Sequence, residues 1–296
     1  MRFKFWGVRG SIATPGPKTV RYGGNTTCIE IRGASDELVI LDAGTGIFQL
    51  GNTLAPEFPI NINIFLSHTH WDHIQGLPMF SPIFVPGNKI TIHGAMDIIS
   101  QHSVKEVLSR QMEHAYFPVK ETELAAELSY VDLQENNCIE FGETRVTNCL
   151  LNHPVLNFGY RVESADKSLV FTGDHEWPYN IYDQTDPEYG AYQEIIDARR
   201  QKIIDFFKDV DALIIDTSYD DIEYEQSKVG WGHGTFDKSI AAAKESSVKK
   251  CYLTHHEPTR SDDELEDLYF AALERNEVSD SDPEFILAKE GVEFLA

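Results

Sequence analysis

Residues 68–73 read His-Thr-His-Trp-Asp-His and place three imidazoles and one carboxylate within six positions. The run follows an apolar segment, 62–66, that has the composition of a short buried strand. Ligand-type side chains this close compete for solvation unless a cation organises them, and imidazole with carboxylate suits zinc, manganese or iron. The sequence therefore predicts a metal site on a loop at the end of a buried strand, where α/β folds carry their chemistry.

Three further candidate ligands also follow predicted strands. They are His153, Asp174 and His255, and the strands before them are predicted to end at residues 151, 172 and 254. Each is a weak signal alone, but strand ends that converge on one site would bring all three to the 68–73 run. Seven ligands are more than one tetrahedral zinc ion uses. We therefore expect two divalent ions, with zinc as the first choice and manganese or iron as alternatives.

The order of the remaining elements predicts the fold class. Strands are expected over 2–7, 26–32, 38–41, 62–66, 89–93, 128–133, 138–141, 144–151, 158–163, 168–172, 212–216, 251–254 and within 285–296, with helices over 97–110, 190–208, 236–247 and 261–275. Strands followed by helices, twice over, suit an α/β fold of four layers, an αββα sandwich. We find no repeat or linker, so residues 1–296 are predicted to form a single domain.

With these ligands in place, the chain resembles the metallo-β-lactamase superfamily. The 68–73 run is similar to its signature loop, and the three later residues match its remaining ligand positions in order. The resemblance implies a hydrolase in which one ion takes His68, His70 and His153, the other takes Asp72, His73 and His255, and Asp174 bridges both. It also implies that Asp42, in Leu41-Asp-Ala-Gly44, orients a ligand histidine, and that the protein is a homodimer.

A second element narrows the resemblance. Residues 230–235 read Gly-Trp-Gly-His-Gly-Thr and are similar to the Gly-His-Ser-Thr element of the ribonuclease Z branch and its small phosphodiesterase relatives. Segments 6–11, 21–26 and 213–219 are similar to that branch too. Two differences are Gly234 in place of the serine, and His-Glu-Pro after His255 in place of a segment with serine and arginine. We expect Asp72 to accept a proton from the attacking water and His233 to protonate the leaving oxygen.

Charge and cysteine content restrict the partners and the compartment. The chain has 48 acidic against 25 basic residues, a formal charge of −23. Such a surface repels long polyanions, so we expect a small substrate rather than long nucleic acid. The four cysteines form no CxxC pair, which is typical of free thiols in a reducing compartment. With no apolar segment of membrane-spanning length, we expect a cytoplasmic protein without a membrane partner.

Substrate contacts are predicted at two places. Arg9, Arg21 and Asn25 are candidates to hold a phosphate or a sugar. The segment 175–193 carries five large aromatic residues, including Trp177, that could stack on a nucleobase. The same aromatics would equally suit packing of a surface helix or a dimer interface.

Together these features favour a dinuclear metal phosphodiesterase that hydrolyses a small nucleotide-like diester, such as a cyclic nucleotide. A tRNA 3′-processing endonuclease is the first alternative, and the charge argues against it. Thioester or lactam hydrolysis is the second, and the His233 element argues against it. A non-catalytic nucleotide sensor is the third, and it would not need a complete ligand set.

Overall fold

The computed structural model describes all 296 residues and contains fourteen strands and seven α-helices. The strands are β1 (Arg2–Gly7), β2 (Cys28–Arg32), β3 (Leu38–Leu41), β4 (Asn61–Phe65), β5 (Lys89–Ala95), β6 (Glu127–Leu133), β7 (Cys138–Phe141), β8 (Thr144–Leu151), β9 (Asn157–Ser164), β10 (Lys167–Phe171), β11 (Ala212–Asp216), β12 (Lys250–Thr254), β13 (Glu284–Leu287) and β14 (Glu293–Leu295). The helices are α1 (Gly46–Thr53), α2 (Trp71–Ile74), α3 (Val104–Gln111), α4 (Tyr189–Phe207), α5 (Asp221–Ser227), α6 (Phe236–Glu245) and α7 (Asp262–Arg275).

The strands form two seven-stranded sheets of the same design. Their orders are β14-β1-β2-β3-β4-β5-β6 and β13-β12-β11-β10-β9-β8-β7. In the first sheet, pairing is antiparallel from β14 to β3 and parallel from β3 to β6. In the second, it is antiparallel from β7 to β10 and parallel from β10 to β13. Only β14 returns to the first sheet after the second is complete, and there it pairs with β1.

Three apolar clusters separate four layers. One cluster lies between the sheets and includes Phe3 and Phe5 from the first and Tyr160 and Ile214 from the second. A second cluster joins the outer face of the first sheet to α1 and α3, and a third joins the outer face of the second sheet to α4, α6 and α7. Alternate residues of a strand point to opposite faces, so both faces of each sheet can be apolar. This arrangement confirms the predicted αββα sandwich.

Helix starts follow local capping signals. Helix α7 begins after Ser261, whose side chain accepts from the Glu264 N–H while Glu264 accepts from the Ser261 N–H. The same capping box at Ser103 starts α3, so the predicted helix over 97–110 is wrong at its beginning. Residues Asp97 and His102 instead form a β-bridge. Helices α1 and α5 were not predicted. None of the seven helices combines the length and the apolarity needed to cross a membrane.

Candidate metal centre

The seven predicted ligands meet where strands of both sheets end. His68 and His70 lie on the loop after β4, and Asp72 and His73 lie on the short helix α2 that follows it. The other three follow strands of the second sheet: His153 comes after β8, Asp174 after β10 and His255 after β12. The first group therefore comes from one sheet and the second group from the other, so the centre lies between the two halves of the sandwich.

Four of these residues form one cluster of donor atoms. His68, His70, His153 and Asp174 each offer a ligand atom, and all four atoms lie within 4.8 Å of one another. The distance from His153 Nε2 to His70 Nδ1 is 3.2 Å, and that from His68 Nε2 to Asp174 Oδ2 is 3.5 Å. Three imidazoles and a carboxylate at this spacing form a pocket of the size and chemistry of a divalent cation site.

A second cluster shares Asp174 with the first. It contains Asp72, His73, Asp174 and His255, again with donor atoms within 4.8 Å of one another. Nε2 of His73 lies 3.1 Å from Asp174 Oδ1 and 3.2 Å from Asp72 Oδ2. Nε2 of His255 lies 3.1 Å from the same Asp174 oxygen. The two oxygens of Asp174 thus face different clusters, which is the arrangement a bridging carboxylate requires.

Buried atoms without hydrogen bonds show that the residues fit metal ions. Nε2 of His68, Nε2 of His73 and Oδ1 of Asp174 are all buried and have no hydrogen-bond partner. An unpaired buried polar atom costs roughly 1–3 kcal/mol, so native proteins rarely leave several together. Two divalent cations, one in each cluster, would satisfy all three atoms. Imidazole and carboxylate donors suit zinc, manganese and iron.

The ring nitrogens that face away from the clusters are held in place. Nδ1 of His73 lies 2.7 Å from Oδ2 of Asp42, whose other oxygen accepts the Ser67 N–H. Asp42 is fully buried and has a φ of +60°, a left-handed conformation that non-glycine residues adopt rarely. Nδ1 of His153 lies 2.9 Å from the Gly232 carbonyl oxygen, to which it donates. Such contacts fix the tautomer and the direction of a ligand imidazole.

The electrostatics of the centre keep its carboxylates ionised. Burial would raise the pKa of Asp174, but the imidazoles around it, His255 and His73 first, hold that pKa well below its usual range. Burial would lower the pKa of His255, but the carboxylates of Asp174 and Asp216 outweigh this effect and raise it to about 9. Burial lowers the pKa of His68 well below its usual value. Anionic carboxylates and a neutral His68 are the protonation states that metal ligands need.

His233 lies beside both clusters and is oriented by a carboxylate. Its Nδ1 is 2.9 Å from Oδ2 of Asp216, and its ring stacks on that of His255 with centroids 4.8 Å apart. Asp216 was not predicted to have a role, although an aspartate that ends a buried apolar strand was the signal available for it. Burial would lower the pKa of His233, but Asp216 and then Asp174 raise it. The ring thus keeps a proton readily, and Nε2 has no hydrogen-bond partner within the protein.

Sequence reasoning also missed Glu176, which fixes the loop that carries His233. Its side chain is buried, and Oε1 accepts the Gly230 N–H at 2.8 Å and the Tyr224 hydroxyl at 2.5 Å. Oε2 accepts the Gly232 N–H at 2.8 Å. Gly232 has a φ of +90°, and a Cβ there would lie 2.2 Å from Nδ1 of His153. Glycine is therefore needed at this point, and Glu176 ties the loop to the metal centre.

The structure changes the prediction for the substrate contacts. Arg9 is completely buried and pairs with Asp262, so it is structural and was wrongly predicted to hold a phosphate. Arg21 pairs with Asp263 at the surface, and Asn25 donates to Glu290. These carboxylates occupy the polar groups that a phosphate would need.

Trp177 likewise differs from its prediction. It is only 9% exposed and belongs to the apolar cluster under α4, where its ring contacts that of Phe207. It therefore packs the core and is not a stacking surface for a base. Tyr179 and Tyr182, from the same aromatic segment, are exposed.

Comparison with known proteins identifies the family. The family model for the beta-lactamase superfamily domain matches residues 38–256, which contain all seven candidate ligands. The chain belongs to this superfamily, and it is a metal-dependent hydrolase with the metallo-β-lactamase fold, as its sequence predicted. A relative from Thermoplasma acidophilum, named ribonuclease Z, is 24% identical over 287 residues and covers 88% of each chain. Other relatives carry the same name.

Solved structures have the same fold over nearly the whole chain. The metallo-beta-lactamase fold protein YhfI from Bacillus subtilis superposes with a TM-score of 0.67 at 18% identity, covering 99% of this chain and 98% of that one. A diphosphatase of the PhnP family gives 0.62 at 17% identity, covering 100% and 97%. The relatives named ribonuclease Z do not fit our expectation of a small substrate rather than long nucleic acid. The names of these relatives confirm the branch that residues 230–235 predicted, which is ribonuclease Z and its small phosphodiesterase relatives.

Proposed function

We propose that the protein is a dinuclear metal phosphodiesterase that hydrolyses a small nucleotide-like diester. The observation that carries this proposal is the position of His233, with Nδ1 held by Asp216 and its ring against the second ligand cluster. A thioester releases a thiolate, which leaves without a proton, so a hydrolase for thioesters would need the metal clusters but not a separate, oriented acid. A diester with a poor alkoxide leaving group needs one.

The residues divide the chemistry between them. Divalent ions held by the two clusters would activate water and would stabilise phosphoryl oxygens as Lewis acids. Asp72 belongs to the second cluster, and its Oδ2 also accepts the Ser11 N–H at 2.8 Å. We assign to Asp72 the role of accepting a proton from the attacking water. His233 donates a proton from Nε2 to the leaving oxygen, while Asp216 stabilises the charged ring.

Charge supports a small substrate, whereas the names of the relatives support the alternative, a tRNA 3′-processing endonuclease. With a formal charge of −23, the protein as a whole repels an RNA of tRNA length more strongly than a dinucleotide. The two candidates therefore differ in how their rates depend on substrate length.

A substrate comparison tests the proposal. We would measure kcat/KM of the zinc- and manganese-loaded protein on a cyclic nucleotide, a dinucleotide, bis(p-nitrophenyl) phosphate, a tRNA precursor and a thioester. We expect a small diester to exceed the tRNA precursor at moderate salt, and Asp174→Ala to abolish both. A higher value on the tRNA precursor would favour the endonuclease. Hydrolysis of the thioester alone would refute phosphodiesterase chemistry.

A further inference from the structure

A cleft beside the metal centre has no role in the chemistry described so far. It has a volume of about 320 Å³ and lies between α4 and the loop that carries His153. Its lining includes Tyr179, Ile181, Tyr192 and Ile196, with His153 at the end next to the first ligand cluster. The volume is in the range of small-molecule sites. A substrate whose scissile phosphate lies at the metal centre can therefore extend its other half into this cleft.

Arg199 lines the same cleft and differs from every other arginine of the chain. Of the eleven arginines in the sequence, nine form ion pairs with carboxylates. Arg110 instead bonds to His102. Only Arg199 makes neither an ion pair nor a side-chain hydrogen bond, although acidic residues outnumber basic ones by 48 to 25. Arg199 is exposed, and an exposed guanidinium that no carboxylate occupies, beside a site for anionic substrates, is available to an external anion.

The one carboxylate that lines the cleft is not available to pair with Arg199. Glu176 lines it too, but both of its oxygens are used by Tyr224 and by two N–H groups of the loop at 230–232. The walls are partly aromatic and apolar, and the Tyr182 ring supports that of Tyr192 with centroids 5.3 Å apart in an edge-on contact. The cleft thus offers a ring-sized apolar surface with one free cation, which suits a nucleoside that carries a phosphate.

We propose that this cleft binds the non-scissile nucleoside of the substrate and that Arg199 pairs with a second phosphate on it. The preferred substrate is then a short nucleotide diester with a terminal phosphate monoester. This inference rests on the proposed phosphodiesterase activity and specifies its substrate class. Guanidinium and phosphate form two parallel charge-assisted hydrogen bonds, which selects phosphate over neutral groups.

The test uses a neighbouring arginine as a matched control. Arg200 lies next to Arg199 on α4 but forms a two-point ion pair with Glu245. We would measure kcat/KM on a dinucleotide with and without a 5′-phosphate, and on a trinucleotide without one, for wild type, Arg199→Met and Arg200→Met. We expect the 5′-phosphate to raise the wild-type value about tenfold. Arg199→Met should remove this gain, and Arg200→Met should keep it.

Inhibition provides an independent readout. Adenosine 5′-monophosphate should inhibit the wild type at about tenfold lower concentration than adenosine, and Arg199→Met should equalise the two. If Arg199 instead raises kcat/KM on the trinucleotide and not on the 5′-phosphorylated dinucleotide, Arg199 still pairs with a second phosphate. That phosphate is then an internal diester and not a terminal monoester. A 5′-phosphate gain that survives in Arg199→Met, or no gain in wild type, would overturn the inference while leaving the phosphodiesterase in place. No hydrolysis of any diester would overturn both.

Discussion

Replacement of Glu176 by glutamine should reduce catalysis although this side chain is not among the metal ligands. Glutamine keeps the shape of the side chain, but one of its two terminal atoms becomes an NH₂ donor. That donor must face either the Gly232 N–H or the pair formed by the Gly230 N–H and the Tyr224 hydroxyl, each of which now donates to a carboxylate oxygen. At least one buried backbone N–H then loses its acceptor.

The expected size follows from these bonds. A hydrogen bond to a charged group contributes about 1.5–3 kcal/mol. The lost bond destabilises the loop conformation that holds His233 in place. If it destabilises only that conformation, the fraction of molecules with His233 correctly positioned falls roughly 10- to 150-fold. The loss should appear in kcat on a dinucleotide and be much smaller on bis(p-nitrophenyl) phosphate, because p-nitrophenolate leaves without a proton.

Tyr224→Phe is the matched control for Glu176→Gln. It removes one donor to the carboxylate but leaves both backbone N–H bonds, so its cost should stay below about tenfold. Metal content should remain at the wild-type level in both variants. A dinucleotide rate for Glu176→Gln within about twofold of wild type, a fraction of 1 kcal/mol, would refute the idea that this carboxylate positions the loop. Equal losses on both substrates would show a general structural role.

Two further predictions concern histidines of the centre. His233→Ala should cost roughly 10²–10⁴-fold on a nucleotide diester but much less on bis(p-nitrophenyl) phosphate, with metal content unchanged, and loss of metal would show that His233 is a ligand. The pKa of His255 lies at about 9, above its ordinary 6.5. The chelator-stripped protein should therefore gain stability from the protonated ring below pH 6.5 and lose it as the pH rises through 9. Zinc affinity should rise over the same interval, by up to about tenfold per pH unit, because a proton must leave. A flat affinity profile between pH 6.5 and 9, measured by competition with a chelator, would contradict this.

The sequence predicted those features that depend on local order along the chain. Candidate ligands placed just after strands, such as His153 and His255, were visible because the strand pattern and the residue type coincide at one position. The αββα layering followed from the order of strands and helices. The start of α7 at Ser261 was visible as a capping signal within four residues.

Features that depend on partners distant in sequence could not be predicted. Arg9 has the composition of a phosphate contact, but its partner Asp262 is 253 residues away and removes it from solvent. Glu176 acts through N–H groups more than fifty residues later. The last strand, β14, joins the first sheet because β1 offers it an edge, and no local pattern specifies which sheet a short strand will join.

The number of metal ions per chain tests the central claim most directly. We would saturate the purified protein with zinc, remove loosely bound ions by gel filtration, and measure metal by inductively coupled plasma mass spectrometry. The wild type should hold two ions per chain, because the two clusters of donor atoms share Asp174. Asp174→Ala should lose bound metal and nearly all hydrolysis, whereas His233→Ala should retain two ions. One ion per chain with full activity, or two ions and an undiminished rate in Asp174→Ala, would contradict the two-metal account.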